Sequence, residues 1–141
     1  MINTIKTAII GLLNGLEGIK AVYSYPEPES NKDSGYPYIF VVWESNESEI
    51  ITNVQDRVRA TYKIYLLQEK LEKFKTRAGA ESTSDDRTYK IENLFRANND
   101  LGVSGVLRVL PLSAKKTYVD GGTRIQVEVS LEVEFLEEVS I

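Results

Sequence analysis

The 141-residue chain contains neither cysteine nor histidine. The absence of cysteine excludes disulfide bonds, thiolate nucleophiles, iron–sulfur clusters and cysteine-ligated zinc sites. The absence of histidine removes the usual general base near neutral pH and the commonest transition-metal ligand of proteins. Hydrolases that use a serine–histidine or cysteine–histidine pair are therefore excluded, and only carboxylate chemistry remains to be examined.

Long apolar runs are also lacking. The run Ile9–Leu13, which contains a glycine, is far shorter than the ~20 residues that span a bilayer. The first residues, Met1–Lys6, show neither the basic segment before an apolar core nor the small-residue cleavage site of a secretory signal. We therefore expect synthesis in the cytosol and no membrane partner.

Sequence motifs that carry chemistry do not occur. The chain has no GxxxxGK[ST], GxGxxG, HExxH or EF-hand spacing, and Gly102–Gly105 lacks the GxSxG pattern of a nucleophile elbow. The adjacent acidic pairs Asp85–Asp86 and Glu137–Glu138 are typical of a helix N-terminus and a solvated tail, respectively. We assign no catalytic residue, no metal site and no cofactor, and we expect that the chain is not an enzyme.

The stretch Thr123–Phe135 has the clearest pattern in the chain, because large apolar residues alternate strictly with polar ones. The apolar set is Ile125, Val127, Val129, Leu131, Val133 and Phe135. Each contributes roughly 1.5–3 kcal/mol if fully buried, which predicts a central strand with one buried face. The other face carries glutamates and is expected to be solvated. Residues 123–138 contain five glutamates and one arginine, a balance of −4 that equals the formal net charge of the whole chain. We therefore expect no nucleic-acid-binding face there.

The remaining elements follow from periodicity and turn residues. We predict an amphipathic helix at about residues 3–16, an edge strand at 19–25, strands at 38–43 and 57–67, a charged linker at 70–87, a helix at 87–98 capped by residues 84–86, and a strand at 106–119 kinked at Pro111. A hairpin turn at residues 120–122 leads into the last strand. The predicted fold is a single α+β domain, residues 1–141, with a mostly antiparallel β-sheet and two helices packed on one face.

Two apolar features are candidates for contact with a subunit or another partner. The first is Ile50, Ile51 and Val54 in the connection Glu44–Asp56, which is either an exposed tip or a continued strand that packs on its own sheet. The second is Tyr36 and Tyr38, which with Tyr23 and Tyr25 flank an exposed loop at residues 26–35. Ordinary packing of these rings on the sheet edge is the alternative.

One acidic row is a further candidate. Glu128, Glu132 and Glu134 share one face of the last strand, where repeated like charges destabilise the fold unless water or cations screen them. In a monomer such a row is a solvated face. In a ring with this face turned inward, the row lines a negatively charged channel.

The order of features along the chain resembles that of a known family. An N-terminal amphipathic helix is followed by VYSYPEPE and GYPYIFV, by a hairpin ending in RATYKIYLLQE, by a charged linker into a helix, and by GGTRIQVEVSLEVEF. This order resembles the tail terminator and tail-completion (head–tail joining) proteins of long-tailed bacteriophages. The resemblance covers nearly the whole chain and rests on pattern, length and composition.

The resemblance implies a structural virion protein that forms a hexameric ring, ends polymerisation of the tail tube and joins the tail to the head-side connector. The implied partners are further copies of the chain, the tail tube protein and the head-side connector protein, with DNA only as passing cargo. The implied location is the tail or neck of the virion, after assembly in the host cytoplasm.

Other functions remain open. One is a head-closure or neck connector protein of the same kind of virion. Another is a stand-alone small ligand-binding α+β module that uses the tyrosine cluster as its pocket. A third is a metal-dependent enzyme that relies on carboxylates alone, such as Asp85 and Asp86.

Overall fold

The computed structural model describes residues 1–26, 35–52 and 54–138. Their order is helix α1 (Ile2–Leu13), strand β1 (Ala21–Tyr23), β2 (Tyr38–Thr52), β3 (Gln55–Lys70), helix α2 (Arg77–Ala97), β4 (Val106–Val119) and β5 (Arg124–Glu138), with a 3-10 turn at Leu71–Lys73 before α2. The predicted fold class, α+β with a mostly antiparallel sheet and two helices, is confirmed. The predicted loop at residues 26–35 lies almost entirely outside the described residues.

The five strands form one sheet in the order β1-β2-β3-β5-β4. All neighbours are antiparallel except β1, which runs parallel to β2. Strand β5 is an interior strand, as its apolar pattern predicts, and all six of its alternating apolar residues are buried. The middle position belongs to β3, whose inward residues between Val58 and Leu66 are buried against those of β5.

Both helices cover the same face of the sheet. Helix α1 places Ile5, Ile9 and Leu13 in the core, at the four-residue spacing that keeps side chains on one helix face. Helix α2 contributes Ile91 and Phe95 to the same core as the inward residues of β3 and β5. The opposite face of the sheet, which we call the open face, carries the intervening residues of the strands.

The last two strands are joined as predicted. Strand β4 is continuous across Pro111, but its register with β5 shifts between Pro111 and Ser113, so the predicted kink appears as a bulge. Asp120, Gly121 and Gly122 all have positive φ angles, 56°, 68° and 87°. This backbone conformation favours glycine and explains the Asp-Gly-Gly sequence at the turn.

The linker predicted at residues 70–87 is wrong, because α2 begins at Arg77. The side chain of Thr76 caps the helix by accepting a hydrogen bond from the Gly79 amide at 2.9 Å. Ala80 and Ser84 are buried on the first turns. The residues predicted to cap the helix, 84–86, therefore lie in its interior, and tertiary contacts outweigh the low helix propensity of this serine- and glycine-containing stretch.

Candidate interaction surfaces

The open face is a surface of cross-strand charge pairs. Strand β5 places Glu128, Glu132 and Glu134 on it, as the alternation predicts. On the neighbouring strand, Arg59 stands directly opposite Glu134, and Tyr65 stands opposite Glu128. Direct cross-strand neighbours are close enough to interact, so the row meets cations and donors from the adjacent strands.

Glu134 is the most enclosed member of the row, with only 9% of its surface exposed. Its carboxylate oxygens lie 3.2 Å from Arg57 Nε, 3.9 Å from Arg59 Nε and 3.1 Å from Arg108 Nε. Two of these arginines come from β3 and one from β4. A carboxylate removed from water in this way is stable only because it is paired.

The other two glutamates are also partnered. Glu132 lies 3.8 Å from Arg59 Nε. Glu128 accepts a hydrogen bond from the Tyr65 hydroxyl at 2.9 Å and lies 4.0 Å from Lys63 Nζ. The expectation of a solvated acidic face is therefore corrected to a partly buried, charge-compensated one. The compensating cations lie on β3 and β4. A charge count restricted to residues 123–138 does not include them.

Tyr65 contacts residues of both neighbouring strands, Phe40 on β2 and Glu128 on β5. Its ring stacks on Phe40 with 4.7 Å between the centroids. Burial, followed by the hydrogen bond to Glu128 and the negative charges of Glu128 and Glu44, raises the pKa of Tyr65 to about 12. The hydroxyl is therefore a hydrogen-bond donor throughout the neutral range.

The tyrosines before β2 pack into the chain. Tyr36 is 2% exposed, and its ring centroid lies 5.0 Å from that of Tyr38, which is also buried. The buried guanidinium of Arg124 lies 3.4 Å above the Tyr36 ring, and its Nη1 donates to the Gln68 carbonyl at 2.5 Å. Burial raises the pKa of Tyr38 to about 12. Tyr36 and Tyr38 thus offer a partner little surface, and the arrangement is the ordinary packing given as the alternative.

The connection predicted between β2 and β3 is a continuation of both strands. They pair as far as Thr52 opposite Gln55, and β3 is backed there by β5 as far as Glu138. We call the described residues of 43–57 the hairpin arm. It is a continued strand pair, but every β2 residue from Trp43 to Thr52 is exposed, so the arm does not pack in the core.

The apolar residues of the hairpin arm are exposed, as predicted for its tip. Ile50 is 80% exposed, and Ile51, Val54 and Trp43 are also exposed. Large apolar side chains in this state are typical of surfaces that another molecule covers. Their contact with a subunit or partner stays a prediction.

Strand β4 carries a second exposed apolar group that the sequence analysis missed. Leu107, Leu110 and Leu112 are exposed on this edge strand. A signal was available in the sequence, because leucines separated by three and then two residues cannot all face one side of a strand with a period of two.

Within the described ranges, neither helix combines the length and the apolar character needed to cross a bilayer. Among these residues there is also no group of three or more acidic side chains placed to hold a metal ion.

Comparisons with known proteins show a likeness of fold to a solved structure. No protein-family model matches the chain, and no curated protein matches it. Among solved structures, it is similar to a chain described as "Virion of native gene transfer agent (GTA) particle", with a TM-score of 0.64 and 13% sequence identity. The match covers 94% of this chain and 95% of that chain. This likeness shows that the two chains share their fold over almost their whole length.

Proposed function

We propose that this protein is a structural virion protein of a tailed bacteriophage, and specifically a tail terminator. In this role a hexameric ring ends polymerisation of the tail tube and joins the tail to the head-side connector. The observation that carries the proposal is the end-to-end likeness of fold to a chain of a virion particle. It agrees with the order of sequence features that resembles tail terminators.

The exposed apolar groups support assembly with other copies. They lie at two separate places, the hairpin arm and strand β4, and a ring requires two different surfaces on each subunit. Each contact is weak on its own. The end of the tail tube holds the subunits side by side, which raises their effective concentration and stabilises the ring.

The open face suits the wall of a channel through which DNA passes. Cations that contact the acidic row, namely Arg57, Arg59, Lys63 and Arg108, are held by carboxylates. They are therefore less available to bind DNA phosphates, which attract unpaired arginine and lysine. In the proposed ring Glu128, Glu132 and Glu134 face the lumen, and DNA is passing cargo.

Deletion of the gene from its phage tests the proposal. Loss of a terminator leaves tail tubes of uncontrolled length and heads without tails, as seen by electron microscopy. The matched control supplies the wild-type gene from a plasmid, which should restore tails of normal length. In the complemented particles this protein should lie in the neck region. Its proposed partners there are the tail tube protein and the head-side connector protein.

Other outcomes of the deletion identify the alternatives. Tails of normal length that fail to join heads would replace the terminator role by that of a head-closure or neck connector protein, to which the same likeness of fold applies. A phage that stays fully infectious would overturn both virion roles and favour the stand-alone ligand-binding module.

A further inference from the structure

The two ends of the sheet expose long strand edges. At one end, β1 pairs only with Tyr38–Phe40, so β2 has no outer neighbour among the described strands from Val41 to Thr52. At the other end, β4 has no outer neighbour among them over Val106–Val119. Each edge is about 40 Å long at the rise of a β-strand. Backbone groups along such edges are free to pair with another strand.

These two edges carry opposite charge. Strand β2 contains Glu44, Glu47 and Glu49 and no lysine or arginine. Strand β4 contains Arg108, Lys115 and Lys116 and no aspartate or glutamate. The formal charge of the strand residues is thus −3 for β2 and +3 for β4.

Some of these charges are paired within the chain, because Glu44 and Glu49 contact Lys63 and Arg57, and Arg108 and Lys116 contact Glu134 and Asp85. Among the described residues no ion pair involves Glu47 or Lys115, so each edge keeps a charge of its own sign.

Both edges also carry exposed apolar side chains. Trp43, Ile50 and Ile51 lie along β2, and Leu107, Leu110 and Leu112 lie along β4. The two edges are therefore similar in length, opposite in charge and both partly apolar. These are the features of two surfaces that fit each other.

We propose that β4 of one copy of this chain lies beside β2 of the next copy, so that the sheets join edge to edge. The inference deepens the proposed ring, on which it rests for closure, by assigning its two contacting surfaces. Contact between two β2 edges or two β4 edges brings like charges together and is disfavoured. The charge pattern therefore favours a head-to-tail contact over a two-fold dimer through either edge, and a head-to-tail contact forms a ring when the rotation between subunits closes.

Charged residues on edge strands also serve to prevent aggregation. Such protection works because strand pairing takes the charged side chains out of water, and it is strongest between edges of the same sign. Opposite signs at the two ends of one sheet offset this cost only in the head-to-tail contact. The charge pattern therefore favours the head-to-tail contact over the other edge contacts.

Charge reversal at each edge tests the proposal. One variant, Glu47→Lys with Glu49→Lys, makes both edges basic, and a second, Lys115→Glu with Lys116→Glu, makes both edges acidic on balance. Each variant should lower the self-association constant at least about tenfold, as measured by sedimentation velocity at low salt. The matched control, Glu17→Lys with Glu72→Lys, changes the net charge as the first variant does but lies away from both edges, and should associate like the wild type. Circular dichroism checks that all variants fold.

Mixing the two edge variants gives the sharper result. The basic β2 edge of the first now fits the acidic β4 edge of the second, and the two unchanged edges fit each other. Self-association should therefore return in an equimolar mixture, as an oligomer that alternates the two variants and contains an even number of subunits, which a hexamer allows.

A zero-length carbodiimide crosslinker, which couples lysine amines to carboxylates, captures weak contacts between isotope-labelled and unlabelled wild-type chains. Crosslinks between chains that join Lys115 or Lys116 to glutamates of β2 support the proposal. Crosslinks elsewhere, no crosslinks between chains, or no recovery in the mixture would overturn it. These measurements do not involve the phage, so the edge contact can fail while the terminator role stands, and the reverse.

Discussion

Glu134 connects three strands through one side chain. It lies on β5, contacts two arginines of β3 and one of β4, and is almost fully removed from solvent. The arginines themselves are partly exposed, so each pair alone contributes little. Their combination around one enclosed carboxylate makes this residue the centre of the network.

Substitution of Glu134 by glutamine should lower the free energy of unfolding by about 1–2 kcal/mol, because three guanidinium groups lose their shared counter-ion. Urea unfolding at low and high salt measures the effect, which should shrink at high salt as the arginines are screened. Glu132→Gln is the control. It removes a single long pair to Arg59 and should cost less than about 0.5 kcal/mol. Equal losses for the two variants would contradict the central role of Glu134.

The two faces of β5 predict opposite results for neighbouring residues. Val129→Asp places a carboxylate in the core and should cost about 3–5 kcal/mol of unfolding free energy. Ser130 lies on the open face, where its hydroxyl accepts a hydrogen bond from Lys63 Nζ at 2.7 Å. Ser130→Asp therefore meets a cation and should cost less than about 1 kcal/mol. Thermal unfolding compares the two, and equal melting temperatures would show that the faces are reversed.

Tyr65 predicts a dependence of stability on alkaline pH. Its pKa is raised to about 12 in the folded chain, against about 10 for an exposed tyrosine. The stabilisation is fully present below pH 10 and is lost between pH 10 and about 12, where the unfolded chain loses the proton first. Tyr65→Phe should cost about 1 kcal/mol at neutral pH, through the lost hydrogen bond to Glu128.

The difference in unfolding free energy between the wild type and Tyr65→Phe should therefore shrink as the pH rises through this window. Chemical denaturation at several pH values measures it. Tyr89→Phe is the control at neutral pH, because Tyr89 is exposed and the substitution there should leave stability unchanged. A difference for Tyr65 that stays constant from pH 9 to 12 would contradict the assigned role.

At the scale of elements, the first turns of α2 are the main surprise. They are held by contacts with other elements, since Gln68 Nε2 donates to the Ala80 carbonyl at 3.2 Å and Lys116 Nζ lies 2.7 Å from Asp85. Tyr118 on β4 also hydrogen-bonds to Glu81. The charged residues that are typical of a linker thus pair with β4 and extend the helix.

Thr76→Ala should lower the free energy of unfolding by about 1 kcal/mol, because it removes the side-chain cap of α2. The control is Ser82→Ala, at an exposed position inside the helix, which should be neutral or slightly stabilising. Equilibrium denaturation measures both. An unchanged stability for Thr76→Ala would indicate that the helix begins further along, as the sequence pattern predicted.

At the scale of the whole molecule, assembly should change the hairpin arm most. Every second backbone amide of an edge strand points away from the sheet, so hydrogen exchange along Val41–Thr52 should be fast at those positions in the free chain. In the assembled particle the same amides should be protected by the neighbouring subunit. Interior amides of β5 serve as the control and should exchange slowly in both states. Exchange along the arm that is unchanged by assembly would remove this strand from the interface.

The sequence by itself determined the fold class and most of the elements. Strict alternation over residues 123–135 left one arrangement for β5, since a shift of one residue would expose six large apolar side chains. The spacing of Ile5, Ile9 and Leu13 likewise determined which face of α1 is buried. These patterns are local, because they arise from the geometry of a single strand or helix.

Only the tertiary structure decided what the surfaces are. The sequence pattern predicts that Glu134 is a solvated acid. In the folded chain the strand register places Arg57, Arg59 and Arg108 from other strands around it. The sequence pattern makes Tyr36 a candidate for an exposed aromatic. In the folded chain Arg124, which is distant in sequence, covers its ring. Such partners are distant in sequence, so no local pattern records them. The opposite charges of the β2 and β4 edges likewise gain meaning only when the strand order places these two strands at opposite ends of one sheet.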